Sequence, residues 1–338
     1  MAARLVFAGT PDFALASLKA LVESGRVPVA VLTRPDRPAG RGRKLTASPV
    51  KRYAVERGIP VLQPATLRDE SVIDGLRELR PDLIVVAAYG LILPQGVLDL
   101  PAHGCLNVHA SVLPRWRGAA PIQAAILAGD DTTGISLMSM TAGLDCGPVY
   151  RVEEIAIGDD ETAGELHDRL AGLGGRSLVA HVDGIAAGEL DASPQDEAAA
   201  SYAPKIHKRD AAIDWSLPAR EVVRRIRAYN PFPGAYASVG AASAANSAAN
   251  SATNSAANSA TNSGLKALLQ GERIKIWRAA VADGDGEPGD VLQFDRDGIA
   301  IACGEGAVRV DEAQLPGKRR APAHEFVGQI ELAGRRLG

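Results

Sequence analysis

Four strand-length runs, separated by segments long enough to be helices, constrain the first half of this chain more than any other feature. Leu5 to Ala8, Val29 to Thr33, Leu83 to Ala88 and Cys105 to His109 are mostly apolar and unalternated, which predicts strands buried on both faces. Between them, Pro11 to Gly25 is patterned as a helix begun by proline and stopped by glycine, and Asp69 to Arg80 as another. Strand, helix, strand repetition requires a parallel sheet covered on both sides. Gly134 to Met140 and Val149 to Ile157 then flank the short loop Thr141 to Pro148, predicting a hairpin at the later edge of that sheet. Thr162 to Ala187 reads as a long helix closing the domain.

At 338 residues the chain has room for two domains. Aromatics are 4% of a sequence that is 46% hydrophobic, so the cores have to be filled by Ala, Val, Leu and Ile. A linker is expected over 190–204, where Pro, Ser and a run of Ala gather, with the first domain covering 1–189 and the second 205–338. In the second, Ile274 to Trp277, Asp290 to Phe294, Gly298 to Cys303 and Ala307 to Val310 are short strands between Gly and Asp turns, which suggests a small barrel. Ser243 to Ser263 cycles through Ser-Ala-Ala-Asn or Ser-Ala-Thr-Asn within an insertion spanning 241–264; so little apolar surface predicts a mobile loop without chemistry.

Several classes are excluded early. No apolar run reaches the ~18 residues of a membrane span, and the N-terminus is too short in apolar residues for a signal sequence, so a cytoplasmic location is expected. Cys105, Cys146 and Cys303 are too scattered for a disulfide framework or a zinc cluster, and no metal is expected. Without an exposed apolar stripe the expectation is a monomer. The P-loop, HExxH, CxxC and GxSxG patterns are missing, and Ala8-Gly9-Thr10-Pro11 lacks the three-glycine dinucleotide fingerprint.

A net charge of −3 conceals an asymmetry: residues 1–52 carry a surplus of +7, residues 53–204 of −13, and residues 205–338 of +3. The last is an ordinary mixed surface. The first is local, because Arg34, Arg37, Arg41, Arg43, Lys44, Lys51 and Arg52 stand against Asp36 alone. Such density in the basic loop 34–52 favours a polyanionic partner over a merely solubilising one.

Chemistry is concentrated where apolar residues are expected. On the strand ending at His109, Asn107 and His109 are two apart, so their side chains leave one face about 6–7 Å from each other. They stand near the C-terminal end of a parallel strand, where open α/β sheets bind ligands. Singly, each has a structural reading, as a satisfied core histidine and a loop-capping amide; as a pair they favour a site. The following Ser111 to Pro121 is long and preorganised enough to line a pocket, or is a rigid connector around a packed Trp116. Asp145 sits between glycines in the hairpin loop, where it is either a turn residue or, if the fold carries it there, a partner of His109.

These residues resemble a known family. Phe7 to Phe13, Arg37-Pro38-Ala39-Gly40-Arg41-Gly42, Asn107-Val108-His109-Ala110-Ser111, Leu113 to Ile122 and Gly143-Leu144-Asp145-x-Gly147-Pro148 are similar to the motifs of the methionyl-tRNA formyltransferase family. The likeness continues through Tyr202 to Ile206, Ile213-Asp214-Trp215, Asn230 to Tyr236 and Leu315-Pro316-Gly317-Lys318, nearly the whole chain. It implies a Rossmann-like formyltransferase domain with a mostly parallel sheet, followed by an OB-like barrel that helps hold tRNA. The implied donor is 10-formyltetrahydrofolate and the implied acceptor the α-amine of initiator methionyl-tRNA. Catalytic roles then fall to Asn107, His109 and Asp145, folate binding to Tyr89, Gly90, Ser111, Val112, Leu113 and Pro114, and tRNA binding to Arg37, Arg41, Arg43 and Lys44. Cys146 departs from the family, which more often has Thr there, and the Ser-Ala-Asn repeat is an insertion foreign to it. A sugar-nucleotide formyltransferase would use the same trio on another amine without needing the basic loop, and a noncatalytic RNA-binding module would not need the trio.

Overall fold

The computed structural model describes residues 3–39, 42, 44–242, 272–296, 298–326, 332 and 335–338. The Ser-Ala-Asn repeat, Arg41 and Arg43 lie outside them. The chain divides into two compact units, one comprising Met1–Ala125, Asp131–Ile157 and Glu165–Lys205, the other Ile126–Asp130, Gly158–Gly164 and Ile206–Gly338.

In chain order the first part runs β1 (Leu5–Gly9), α1 (Asp12–Glu23), β2 (Ala30–Leu32), β3 (Arg37–Ala39), β4 (Lys44–Thr46), α2 (Pro49–Glu56), β5 (Val61–Leu62), α3 (Glu70–Glu78), β6 (Leu83–Ala87), α4 (Gln95–Leu98), β7 (Cys105–His109), β8 (Arg117–Gly118), α5 (Pro121–Ala128), β9 (Thr132–Ser139), β10 (Val149–Ala156), α6 (Ala163–Ala186) and β11 (Tyr202–Ala203). The main sheet has the order β10-β9-β7-β6-β1-β2-β5. Five strands are parallel, and β9 and β10 add an antiparallel edge. Every residue of β1, β6 and β7 is buried, which is why their sequences do not alternate. Gly9 ends β1 because a Cβ there would lie 2.6 Å from that of Ala14 and 2.7 Å from the Phe7 ring.

The basic segment is more ordered than its composition implies. Ser48 caps α2 by accepting from the Lys51 N–H at 3.0 Å, with Pro49 opening the helix. Lys51 pairs with Asp36 at 2.7 Å, holding that carboxyl below its ordinary range, and Arg52 donates to the Ala47 carbonyl at 2.9 Å. Arg34 donates to the Gly90 carbonyl. Three of the seven cations of this loop therefore have structural partners, while Arg37 and Lys44 are exposed on the β3–β4 hairpin.

Residues 190–204, expected as a linker, hold to the first unit along much of their length. Ser193 and Val149 exchange both backbone hydrogen bonds, Ser201 accepts from the Arg117 N–H, Ala203 accepts from the Ala119 N–H, and β11 pairs with β8. Composition does not report such pairing, because it is made by backbone groups and a few polar side chains.

The second unit contains α7 (Ala219–Ala228), β12 (Tyr236–Ala242), β13 (Arg273–Ala282), β14 (Val291–Asp295), β15 (Gly298–Ala302), β16 (Ala307–Gln314), β17 (Ala321–Pro322) and β18 (Arg335–Leu337). Its antiparallel sheet, ordered β14-β15-β16-β13-β12-β18, curls into a half-barrel. Asp290 bridges to Arg336 between the two end strands, and the Leu337 N–H donates to the Gly289 carbonyl at 2.8 Å. Trp215, Val222 and Ile226 pack inside with Ile274, Ile276, Val308 and Val310. The expected mostly parallel Rossmann-like sheet followed by an OB-like barrel is met by such a sheet followed by a curled antiparallel half-barrel.

Candidate active site

Strand β7 presents Asn107 and His109 from within the sheet, 8% and 6% exposed. The register places Asn107 beside Val86 of β6 and Met138 of β9, and His109 beside Ser136. Asp145 comes from the β9–β10 loop. Its Oδ1 accepts from Asn107 Nδ2 at 3.4 Å, its Oδ2 accepts from the Gly118 N–H at 2.9 Å, and His109 Nδ1 lies 3.8 Å from Oδ2. Amide, imidazole and carboxylate thus meet across 38 residues of sequence.

Proton positions follow from the partners. The Trp116 carbonyl, which can only accept, is 3.1 Å from His109 Nε2, so that nitrogen carries a proton. Nδ1 is left facing the carboxylate, and a second proton there turns the 3.8 Å approach into an ion pair.

Two residues at the site, Trp116 at φ 62° and Asp145 at φ 48°, are non-glycine residues in the left-handed region. Such conformations cost about 1–3 kcal/mol each and persist only where surroundings over-determine them. Those surroundings are explicit. Arg117, 1% exposed, donates through Nη1 and Nη2 to Glu197 at 2.9 and 2.8 Å, and through Nε and Nη2 to Gln195 Oε1 at 3.0 and 2.9 Å. Gln195 Nε2 in turn donates to the carbonyls of Asp145 at 2.9 Å and Gly147 at 2.7 Å. The bond to Glu197 raises the Arg117 pKa further and lowers that of Glu197. Sequence reasoning missed Gln195 and Glu197; the one available signal was Arg117, whose charge demands an acceptor wherever the loop is buried.

The residues expected to bind folate divide. Ser111 is fully buried, its Oγ donating to the Arg115 carbonyl at 2.6 Å, and the Leu113 N–H donates to Ser136 Oγ at 3.0 Å, so both brace the loop. Val112 and Pro114 are half-buried and Gly90 is exposed. The Tyr89 side chain is 2% exposed within a core cluster containing Leu67, Leu93 and Val97, which leaves its main chain as its only contribution at the strand ends. Burial pushes its phenol up to about 12, against the opposing charge of Arg34. Cys146 Sγ lies 3.5 Å from Thr141 Oγ1, so the thiol keeps a hydroxyl neighbour.

A mostly parallel sheet that brings a polar trio together from β7 and the β9–β10 loop is a feature to compare with known proteins. The chain matches the family described as formyl transferase over residues 3–182 and formyl transferase, C-terminal domain, over residues 205–330. It belongs to the formyl transferase family. The methionyl-tRNA formyltransferase of Methylococcus capsulatus is 47% identical over 337 residues, 99% of each chain. Among solved structures, an N-formyltransferase from Helicobacter canadensis in complex with folinic acid and dTDP-3-aminofucose superposes with a TM-score of 0.60 at 16% identity, covering 91% of this chain and 98% of that one. HypX from Aquifex aeolicus in complex with tetrahydrofolic acid gives 0.59 at 16%, covering 98% of this chain, which spans about half (49%) of the HypX chain. These last two show the shared fold. No helix among the described residues is long and apolar enough to cross a membrane.

Proposed function

We propose that this chain transfers a formyl group from 10-formyltetrahydrofolate to the α-amino group of methionine on initiator tRNA, preparing it for translation initiation. The observation that carries the reading is the meeting of Asn107, His109 and Asp145 around one point, in a chain 47% identical over its length to a methionyl-tRNA formyltransferase.

The donor supplies an activated formyl carbon. Transfer between nitrogens passes through a tetrahedral carbon bearing a developing oxyanion, and the attacking amine must be neutral and lose a proton. Asn107 Nδ2 donates to that oxyanion. His109 holds a proton at Nδ1 for the oxyanion or the leaving nitrogen. Asp145 balances the charge of the protonated ring and takes the amine proton through water. Exposed apolar side chains in the neighbouring loops, Ile92 (82%) and Leu144 (61%), together with Gly90, Val112 and Pro114, suit a flat heteroaromatic donor.

For the acceptor, the exposed cations Arg37 and Lys44 on the β3–β4 hairpin, with Arg41 and Arg43 between them in sequence, supply phosphate contacts. The second unit adds a cavity of about 370 Å³ lined by Lys208, Arg273, Lys275 and Tyr236. There the Arg273 guanidinium lies 4.4 Å from the centre of the Tyr236 ring, a pairing of charge and aromatic surface that suits RNA.

The test is formyl transfer by the purified chain, with 10-formyltetrahydrofolate as donor, to charged initiator tRNA and, in parallel, to a dTDP-amino sugar. Transfer to the tRNA alone is expected. Transfer to the sugar alone, or to neither, overturns the reading.

A further inference from the structure

The side chain that holds Asp145 in place has no part in the chemistry above and lies in the stretch between residues 190 and 204. We infer that Gln195 is a positioning residue for the reaction: with the buried Arg117 behind it, it keeps the Asp145 carboxylate turned toward Asn107 and His109. The inference rests on the proposed assignment of Asp145 and extends it to a group that touches no reacting atom.

The orientation of the Gln195 amide is dictated by its neighbours. Arg117 can only donate, so the two N–H groups that converge on one atom at 3.0 and 2.9 Å require it to be Oε1. The amide nitrogen must then face the other way, where the Asp145 and Gly147 carbonyls, which can only accept, take one N–H each at 2.9 and 2.7 Å. Both atoms of the Gln195 side-chain amide are committed. Arg117 cannot swing aside, because it is 1% exposed and Glu197 fixes its other edge.

What the amide holds is a backbone that resists being held. Asp145 sits at φ 48°, and Gly147 is pressed so closely on β9 that a Cβ there would lie 1.9 Å from the Ser139 carbonyl oxygen. Two hydrogen bonds to the carbonyls on either side of Cys146 clamp the turn from outside. The Gly118 N–H, next in sequence to Arg117, grips the carboxylate at 2.9 Å. One buried guanidinium therefore organises both ends of Asp145: the backbone through Gln195, and the side chain through the position of Gly118. Released from the clamp, the residue relaxes toward ordinary φ, and its carboxylate moves off the His109 ring, which at 3.8 Å is already at the limit of an ion pair.

The variant that tests this is Gln195→Glu. It keeps length, shape and the acceptor for Arg117, but sets its other carboxylate oxygen against two carbonyl oxygens. Displacement of a reacting group by about 1 Å can cost on the order of 10²-fold. The expected result is a kcat lower by about 10–10²-fold, with the dissociation constant for a non-reactive folate analogue unchanged and the melting temperature lowered, since two buried carbonyls lose their donors. Because the effect acts through Asp145, the same substitution in an Asp145→Asn background should cost nothing further. A kcat within threefold of the parent, or losses that simply multiply in the double variant, would overturn the role. Should Gln195→Glu fail to fold, Gln195→Met, which keeps the length and removes both donor and acceptor, is read by the same criteria. Formylation by the parent and its loss in Asp145→Asn alone are measured alongside, so failure of the proposed reaction is told apart from failure of this inference.

Discussion

Replacing Asp145 by Asn changes one atom's chemistry and leaves the outline of the side chain intact, which makes its consequences calculable. Two donors converge on the carboxylate, Asn107 Nδ2 at 3.4 Å on one oxygen and the Gly118 N–H at 2.9 Å on the other, and His109 Nδ1 faces that second oxygen at 3.8 Å, an ion pair once the ring is protonated. An amide offers one accepting oxygen. It keeps that oxygen on the tightest donor, Gly118, so its own NH2 group faces the amide nitrogen of Asn107. A buried unmade hydrogen bond costs about 1–3 kcal/mol, and Asn107 escapes it by turning its amide over. That rotation withdraws the N–H assigned to the oxyanion. The substitution therefore removes the proton acceptor and the balancing charge of His109 directly, and disarms Asn107 indirectly. Loss of a positioned acid–base group is worth about 10²–10⁴ in rate, or about 2.7–5.4 kcal/mol at 1.36 kcal/mol per decade, and the coupling to Asn107 puts the expected value in the upper half of that range. The measurement is single-turnover formylation of charged initiator tRNA with enzyme in excess, alongside binding of a folate analogue, which should be unaffected. A rate within threefold of the parent would refute the assignment of Asp145, and with it the reasoning from converging donors.

Gly118→Ala should lower both stability and activity, because Gly118 sits at φ 118° and a Cβ would lie 2.7 Å from the Ala203 carbonyl oxygen; a loss of about 1–3 kcal/mol is expected, and an unchanged urea midpoint would contradict it. Burial lifts the Tyr89 phenol from about 10 to about 12. The unfolded chain then gives up a proton that the folded chain keeps, and stability falls as pH rises through that window. Tyr89→Phe should make the decline shallower in alkaline melts, and an identical slope would show that the phenol is not the source. Replacing Arg37 and Lys44 together by Ala should reduce the salt dependence of tRNA binding by about two units of slope, one for each phosphate left without its cation, while affinity for a folate analogue stays the same; an unaltered slope removes the hairpin from the tRNA site. Cys105 and Cys303 are buried, their thiols pushed up by that burial to about 12 and about 11, so a native thiol titration should find only Cys146 reacting fast; three equivalent thiols would contradict the packing.

Periodicity made the parallel sheet legible in the chain itself. β1 and β6 are uniformly apolar because both their faces are covered, and such runs are a property of the bonded chain. The same local rule placed Asn107 and His109 on one face, since side chains two apart on a strand share a side. Family-like motifs named Asp145 without saying how it reaches them. What only the tertiary structure decided is every relation between distant stretches. The pairing of β7 with β9 carries the hairpin loop across 38 residues to Asn107; Gln195 closes on that loop from 50 residues away; and the Tyr89 side chain turns into the core instead of a pocket. The basic segment likewise read as opposed by Asp36 alone, yet Lys51 and Arg52 belong to a capped helix and are held by Asp36 and the Ala47 carbonyl. The division has one physical reason. Covalent geometry sets which way neighbouring side chains point, whereas contact between remote groups depends on strand register and on backbone hydrogen bonds, which are made by atoms that every residue shares.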